Sequence, residues 1–539
     1  MLKKFLPLVQ IIFLSSAVLF WQAFFQFIEY ADTYFVMNLG RYVLEHGFPH
    51  VDPFTVHENL KLVAQQWLSG VVFWEAYKNF GLNGLLAVDY LFGAAAVVIY
   101  WRLCLFVSGG NKILSFMISF AVGMFIAPMV VPRPHILSAT FLLIEVFMLE
   151  KFTRTADAKF LIPLPLISIA LINLHAAVWL MSLVICLPFL FVKNFRHIKL
   201  LLAAMLGVLL CGLINPYGVE AMTYVFRSYG IEAINSGIPE MFTPTAHAFQ
   251  GKIFYATEAF LIFSLAKFKV PWRYIFLSGG ITFMAIMHAR NLVLFYFLAT
   301  FPLAYVWRDF SSEKLFQNRK LSLGLFFLIL AANTVIITNF FIEKLTNISA
   351  PLLILFLVTV LVFLYNLLIL KAEGRILHPK VLPRKIVSLL ATLFVTSGIF
   401  FFAYTYSQPK PPTTYTDAIK FILRTERPED ISLYAEQGIG GLAGSFGIKY
   451  YIDSRSEVFL STNNGQKNIF EEYGDFTRGK LNYKDFFNRY DFTHIILTSK
   501  DPFLLELMSA DKNFRTIYES EHVKGYDLIR CKVFVPKKG

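Results

Sequence analysis

The sequence predicts a polytopic α-helical membrane protein of about thirteen spans, ending in a compact α/β domain outside the membrane. Three observations carry this reading. First, the 539-residue chain is 56% hydrophobic and 17% aromatic but only 16% charged, well beyond the apolar content of an ordinary globular domain. Second, apolar runs approaching the roughly 20 residues needed to cross a bilayer recur from Phe5 to Tyr406. Third, the pattern changes after Tyr406 to short alternating strand and helix signals. The charge balance changes with it. From Ser407 onward 19 Lys and Arg stand against 18 Asp and Glu, so +12 of the formal +13 lies on the membrane part.

The predicted spans are 5–28, 83–107, 113–131, 135–150, 160–174, 176–192, 199–214, 253–267, 274–289, 292–307, 321–341, 350–370 and 386–406. The first begins "MLKKF" like a signal peptide, but no small-residue cleavage site follows it, so it reads as a retained helix. The fifth and sixth are short and meet at "NLH", as a re-entrant pair would. Orientation follows from the basic residues. "KFTRTADAK", "KNFRHIK", "KFKVPWR", "RDFSSEKLFQNRK" and "KAEGRILHPKVLPRK" all fall on one side. That side is the cytoplasm, together with the N-terminus. An odd number of spans then places the C-terminal part outside.

The domain plan is a membrane part, 1–406, with long outer loops at 29–82 and 215–252. A Pro-rich stiff linker, 407–415, leads to a soluble α/β domain, 416–539. In that domain "DISLYAE", "IKYYIDSR", "FTHIILTS", "FRTIYES" and "YDLIRCKVFV" read as strands. "YTDAIKFILRTE", "KDFFNRY" and "DPFLLELM" read as helices.

The basic balance is the membrane-orientation signal and gives no support for a nucleic-acid partner, since no zinc-finger or RNA-binding signature accompanies it. The four cysteines, Cys104, Cys186, Cys211 and Cys531, are scattered and form neither a disulfide framework nor a metal motif. "GIGGLAGSFG", 438–447, has only part of a dinucleotide-binding spacing and lacks the lysine of a phosphate-binding loop. It reads as a flexible loop facing the membrane. "DSRSEVF", 453–459, reads as a polar turn or an acceptor contact. No metal or cofactor site is predicted.

Polar residues gather on the outer side. Seven of the eleven histidines fall there: His46, His50, His57, His135, His175, His247 and His288. "EYADTYFVMNLGRYVLEH" puts Asp32 directly after the first span and Arg41 on an amphipathic segment, and "HVDPFT" adds Asp52. "VPRPHIL" gives Arg133 and His135, "NLHAAVW" gives His175, "NPYG" gives Tyr217, and "MHARN" gives His288 and Arg290. Ionisable groups at membrane depth are costly and usually line a polar cavity. One shared outward-facing cavity accounts for them together, and it predicts that Arg133 and Arg290 approach each other despite their separation in sequence.

"ADTYFVMNLGRYVLEHGFP…DPFT…QQWLSGVVFWEAYKNFGLNGL" resembles the beginning of the GT-C superfamily, specifically the protein O-mannosyltransferase-like membrane glycosyltransferases of bacteria. "RPHILS", "NLHAAVW", "NPYG" and "HARN" are similar to later motifs of the same group. Many relatives have a second acid after the first Asp; this chain has Thr33 there. The resemblance implies a sugar donor linked to polyprenyl phosphate, lying in the bilayer with its headgroup outside, and an extracytoplasmic acceptor of unspecified identity. It also implies an inner (plasma) membrane location in a bacterium. An acceptor hydroxyl attacking the anomeric carbon needs a general base, for which Asp32 and Asp52 are the candidates. The departing phosphate needs cations and donors, for which Arg41, Arg133, His135, His175, Tyr217, His288 and Arg290 are the candidates. Two other classes would use a polar outer cavity: a transporter or flippase of a lipid-linked envelope precursor, and a non-catalytic assembly protein that keeps the fold.

Overall fold

The computed structural model describes residues 31–227, 231–309, 414–524 and 527–537. Predicted spans 5–28, 321–341, 350–370 and 386–406 and most of the linker 407–415 lie outside the described residues. Helix α1 (Ala31–His46) opens the description, followed by α2 (Trp67–Phe80), α3 (Leu82–Val107), α4 (Lys112–Ile126) and α5 (Pro134–Thr155). After these come α6 (Pro163–Leu174), α7 (Phe195–Cys211), α8 (Phe249–Lys267) and α9 (Trp272–Met287). Among the described residues, two helical stretches are long and apolar enough to cross a membrane: Leu82–Val107 and the mixed run Ala289–Val306. The predicted count of thirteen therefore remains a reading of the sequence. The segment predicted as a re-entrant pair is broken where predicted. Helix α6 stops at Leu174, His175 takes an extended conformation, and short helical turns resume at Ala176.

The helical part is tied together at both ends of α5. Near its C-terminal end the buried Glu150 accepts from Arg273 Nε at 2.9 Å and from the Tyr274 hydroxyl at 3.2 Å, joining α5 to α9. Within the layer, the Tyr100 hydroxyl of α3 bonds Thr300 at 2.7 Å. Outside it, α1 and α2 cross at two glycines. A Cβ on Gly40 would lie 1.9 Å from the Gly70 carbonyl carbon, so neither position tolerates a side chain without the helices moving apart. Close contact there buries Val36, Met37 and Leu39 of α1, each contributing about 1.5–3 kcal/mol.

The C-terminal part folds as α10 (Thr414–Ile422), β1 (Ser432–Ala435), α11 (Gln437–Ser445), β2 (Lys449–Tyr450), α12 (Ile469–Thr477) and α13 (Tyr483–Arg489). It continues with β3 (His494–Thr498), α14 (Pro502–Ala510), β4 (Phe514–Lys524) and β5 (Asp527–Pro536). Its sheet has the order β2-β1-β3-β5-β4, parallel across β2-β1-β3 and antiparallel across β3-β5-β4. All five predicted strands form, although "IKYYIDSR" supplies only the two residues of β2. The Gly-rich segment differs from expectation: it is α11, packed against α1. Glycine disfavours helix intrinsically, but here the packing demands it, because a Cβ on Gly440 would meet the Ile452 carbonyl oxygen at 2.0 Å.

The loop that follows α1 and this domain form a continuous structure. Residues 50–62 make a hairpin, with Val51 bridging Lys61. Its tip extends the sheet beyond β2: Val56 N–H donates to the Tyr450 carbonyl at 3.0 Å and Tyr450 N–H to the Phe54 carbonyl at 3.4 Å. His57 seals the junction, its Nε2 bonding the Tyr451 carbonyl at 2.8 Å among the rings of Tyr451 and Tyr490. Burial chiefly pushes its imidazole down to about 4, with Lys467 adding to the effect. The folded protein thus binds this proton less readily than the unfolded chain, whose histidine titrates near 6.5. The stability this neutral imidazole permits is complete above about 6.5 and is lost as pH falls toward 4. Thermal unfolding of wild type and His57→Gln at pH 7.5 and pH 5 tests this. The wild type should lose more stability on acidification than the variant, and equal losses would exclude His57 as the source.

Candidate functional site

The ends of three helical segments meet around one arginine. "VPRP" makes Arg133 extended, as a residue between prolines must be, and places it at the N-terminus of α5 with φ −135° and ψ 151°. Asp32 lies on α1, next to its first described residue. The two side chains form an ion pair, with 26% and 20% of their surfaces exposed. Arg133 Nη1 also reaches Glu240 Oε2 at 2.9 Å, and its Nη2 reaches Glu240 Oε1 at 3.5 Å. Arg290 Nη2 approaches the same oxygen, Glu240 Oε1, at 3.9 Å. Arg133 and Arg290, 157 positions apart by their numbers, thus converge on one carboxylate.

Backbone contacts hold these parts in place. Glu240 rides on the single turn Pro239–Met241. The Met241 carbonyl is bonded by His288 Nδ1 at 2.6 Å, and Ala289 N–H donates to the Phe242 carbonyl at 2.9 Å. Burial pushes the Glu240 carboxyl up, but Arg133 and Arg290 outweigh it and hold it below the ordinary glutamate range. His135 bonds the Met129 carbonyl at 2.7 Å, and His175 meets the Ser138 hydroxyl at 3.1 Å. Both histidines lie within electrostatic reach of Arg133 and Arg290.

Thr33 has a structural task. Its buried hydroxyl donates to the Pro132 carbonyl at 2.7 Å, fixing α1 beside the turn that presents Arg133. A carboxylate at this position would confront that carbonyl oxygen.

The remaining predicted site residues lie elsewhere. Asp52 is enclosed: Oδ1 pairs with Arg455 Nη1 at 2.6 Å, and Oδ2 accepts from Thr55 N–H and hydroxyl at 3.1 and 2.8 Å. Its side chain is fully buried, an arrangement that suits a structural ion pair and leaves no carboxylate oxygen facing an acceptor. Arg41 donates to the carbonyls of Gly444 and Ser445 at the end of α11, at 3.2 and 3.3 Å. The Tyr217 hydroxyl donates to the Pro49 carbonyl at 2.9 Å, holding the hairpin. "DSRSEVF" is neither a surface turn nor open to an acceptor, since Asp453 and Arg455 are buried in the same network as Asp52. Glu240 was not among the sequence candidates; an acid following Pro in a long outer loop was its only mark.

Among the described residues no group of three or more His, Cys, Asp or Glu is arranged to hold a metal ion. The cluster consists of two guanidinium groups facing carboxylates at helix ends, an arrangement able to bind an anion and accept a proton side by side.

No protein-family model and no curated protein matches the sequence. Solved structures do match in three dimensions. ArnT from Cupriavidus metallidurans, solved bound to undecaprenyl phosphate, aligns over 97% of this chain and 97% of its own, with a TM-score of 0.54 and 13% identity. The apo Archaeoglobus fulgidus oligosaccharyltransferase aligns over 92% of this chain and 70% of its own, with a TM-score of 0.51 and 11% identity. This chain shares their fold, the GT-C fold.

Proposed function

We propose that the protein is an integral membrane glycosyltransferase that moves a sugar from a polyprenyl-phosphate donor to an acceptor outside the cytoplasm. The observation that carries this reading is the convergence of Asp32, Arg133, Glu240 and Arg290 at helix ends. Asp32 takes the proton as the acceptor oxygen bonds to the anomeric carbon. The bond from that carbon to the phosphate oxygen breaks on the opposite face, inverting the centre, and Arg133 and Arg290 receive the polyprenyl phosphate. His135, His175 and His288 complete the polar lining. That the ArnT structure holds undecaprenyl phosphate agrees with a lipid phosphate as ligand.

The direct test supplies purified protein with labelled undecaprenyl-phosphate-linked sugars and an envelope fraction. The masses of envelope glycans are also compared in cells with and without the protein. One glycan should lose a fixed sugar increment when the protein is absent. Unchanged glycans together with no consumption of any donor would remove the enzymatic reading. They would favour an assembly protein, the alternative to which Thr33 lends weight.

The same reading places the protein in the bacterial inner membrane with its N-terminus cytoplasmic and the C-terminal domain outside. Lys480 is well exposed in that domain. A Lys480→Cys variant should react with a membrane-impermeant maleimide in intact spheroplasts. Labelling only after lysis would invert the topology.

A further inference from the structure

The position between the two arginines is already held by an anion, the Glu240 carboxylate. It meets Arg133 at two points, 2.9 and 3.5 Å, and Arg290 at 3.9 Å. A carboxylate and a phosphate present a guanidinium with the same pair of accepting oxygens, so the edges of Arg133 that hold Glu240 cannot hold a phosphate as well. Charge leads to the same conclusion. Asp32 and Glu240 already balance Arg133 and Arg290, and a phosphate entering this group adds unbalanced negative charge unless one carboxylate withdraws. Asp32 is tied to α1, whereas Glu240 and Arg290 are each one-third exposed. Anchoring of the Glu240 turn runs through the backbone of Met241 and Phe242. The Glu240 side chain can therefore rotate away without the turn leaving its seat.

We infer that Glu240 is a displaceable internal anion: the phosphate of a membrane lipid takes its place between Arg133 and Arg290, and Glu240 returns as that phosphate leaves. The inference rests on the glycosyltransferase reading and adds a function for Glu240 within it. Transfer turns a singly charged phosphodiester donor into a phosphomonoester, whose charge near neutral pH is about −1.5 to −2. An uncompensated arginine pair would hold that product more tightly than the donor. A carboxylate competing for the same donors opposes this trapping and favours release.

The test measures binding of undecaprenyl phosphate, and separately of inorganic phosphate, to full-length protein in nanodiscs. Wild type is compared with Glu240→Gln, Arg133→Gln and Arg290→Gln. Removing the competing charge should tighten undecaprenyl phosphate binding by about tenfold or more, and each arginine variant should weaken it. Equal or weaker binding by Glu240→Gln, with both arginine variants impaired, would overturn the exchange while leaving the arginine site standing. Unaltered binding by both arginine variants would remove the phosphate site itself and the inference with it. Inorganic phosphate bound as tightly as undecaprenyl phosphate by the wild type would overturn the assignment to a lipid headgroup.

Discussion

Asp32→Asn is expected to lower sugar transfer by about a hundred- to ten-thousandfold, the usual contribution of a positioned general base, while the protein still folds and inserts. Asp32 stands on α1 and pairs with Arg133, which places a carboxylate, the proton-accepting form, beside the proposed phosphate site. Asparagine keeps the shape and an oxygen able to accept from Arg133, but it cannot take the acceptor's proton. Arg133 also retains Glu240 as a partner, and the pair is partly exposed, so the loss of one charge should cost little stability. The defect should therefore appear in turnover, with thermal unfolding close to wild type and donor bound no more weakly than by the wild type. A variant that transfers sugar at near the normal rate would end the assignment of Asp32 as base. Asp52 does not inherit the role easily, because both its oxygens are spent on Arg455 and Thr55 in a buried setting.

What could be read in advance depended on how local each signal was. Asp32, Arg133 and Arg290 were legible because each marks the end of an apolar run, and ionisable groups at such ends require an explanation. Their meeting followed from topology: residues at the same ends of neighbouring helices share a surface. Glu240 gave no comparable signal, being one acid in a loop without periodicity, and its partner is 107 positions away. The partnership of Asp52 with Arg455 spans 403 positions, and nothing in "HVDPFT" or "DSRSEVF" announces it. Both segments have the composition of surface turns. The glycines of α11 misled for a related reason. Their low helix propensity is a local cost, but the decisive term is the tertiary approach to Ile452 and to α1, which sequence spacing does not display. The strands were easier, because buried β-branched and aromatic runs bounded by turns identify themselves.

Arg455→Met is expected to cause the largest loss of stability, of the order of 3–5 kcal/mol, the range found when one partner of a buried ion pair is removed. The guanidinium is the only cation among the described partners of this network. It holds Asp52 at 2.6 Å and Asp453 at 2.8 Å, both with fully buried side chains. Asp453 in turn accepts from the Tyr450 hydroxyl at 2.6 Å. Methionine fills much of the volume but leaves two carboxylates facing each other without a counter-charge or access to water. The loss has a defined place, because this network fastens the hairpin at 50–62 to the edge of the C-terminal sheet. The same domain holds α1 through Asn38, whose amide donates to the Gly441 carbonyl at 2.8 Å, and through Arg41. A lower melting temperature and new protease cleavage within 50–62 are the expected results. Adding Asp52→Asn and Asp453→Asn to Arg455→Met should recover a substantial part of the stability, since it removes the stranded charges and not merely their partner. A single variant that melts like the wild type would show that the buried arginine does not fasten the hairpin. A triple variant no better than the single one would move the cause from charge to packing against Phe35 and Phe54, whose rings lie 5.8 and 5.3 Å from the guanidinium. Because α1 carries Asp32, any variant that loosens this junction should also slow transfer, and restored melting should bring restored turnover with it.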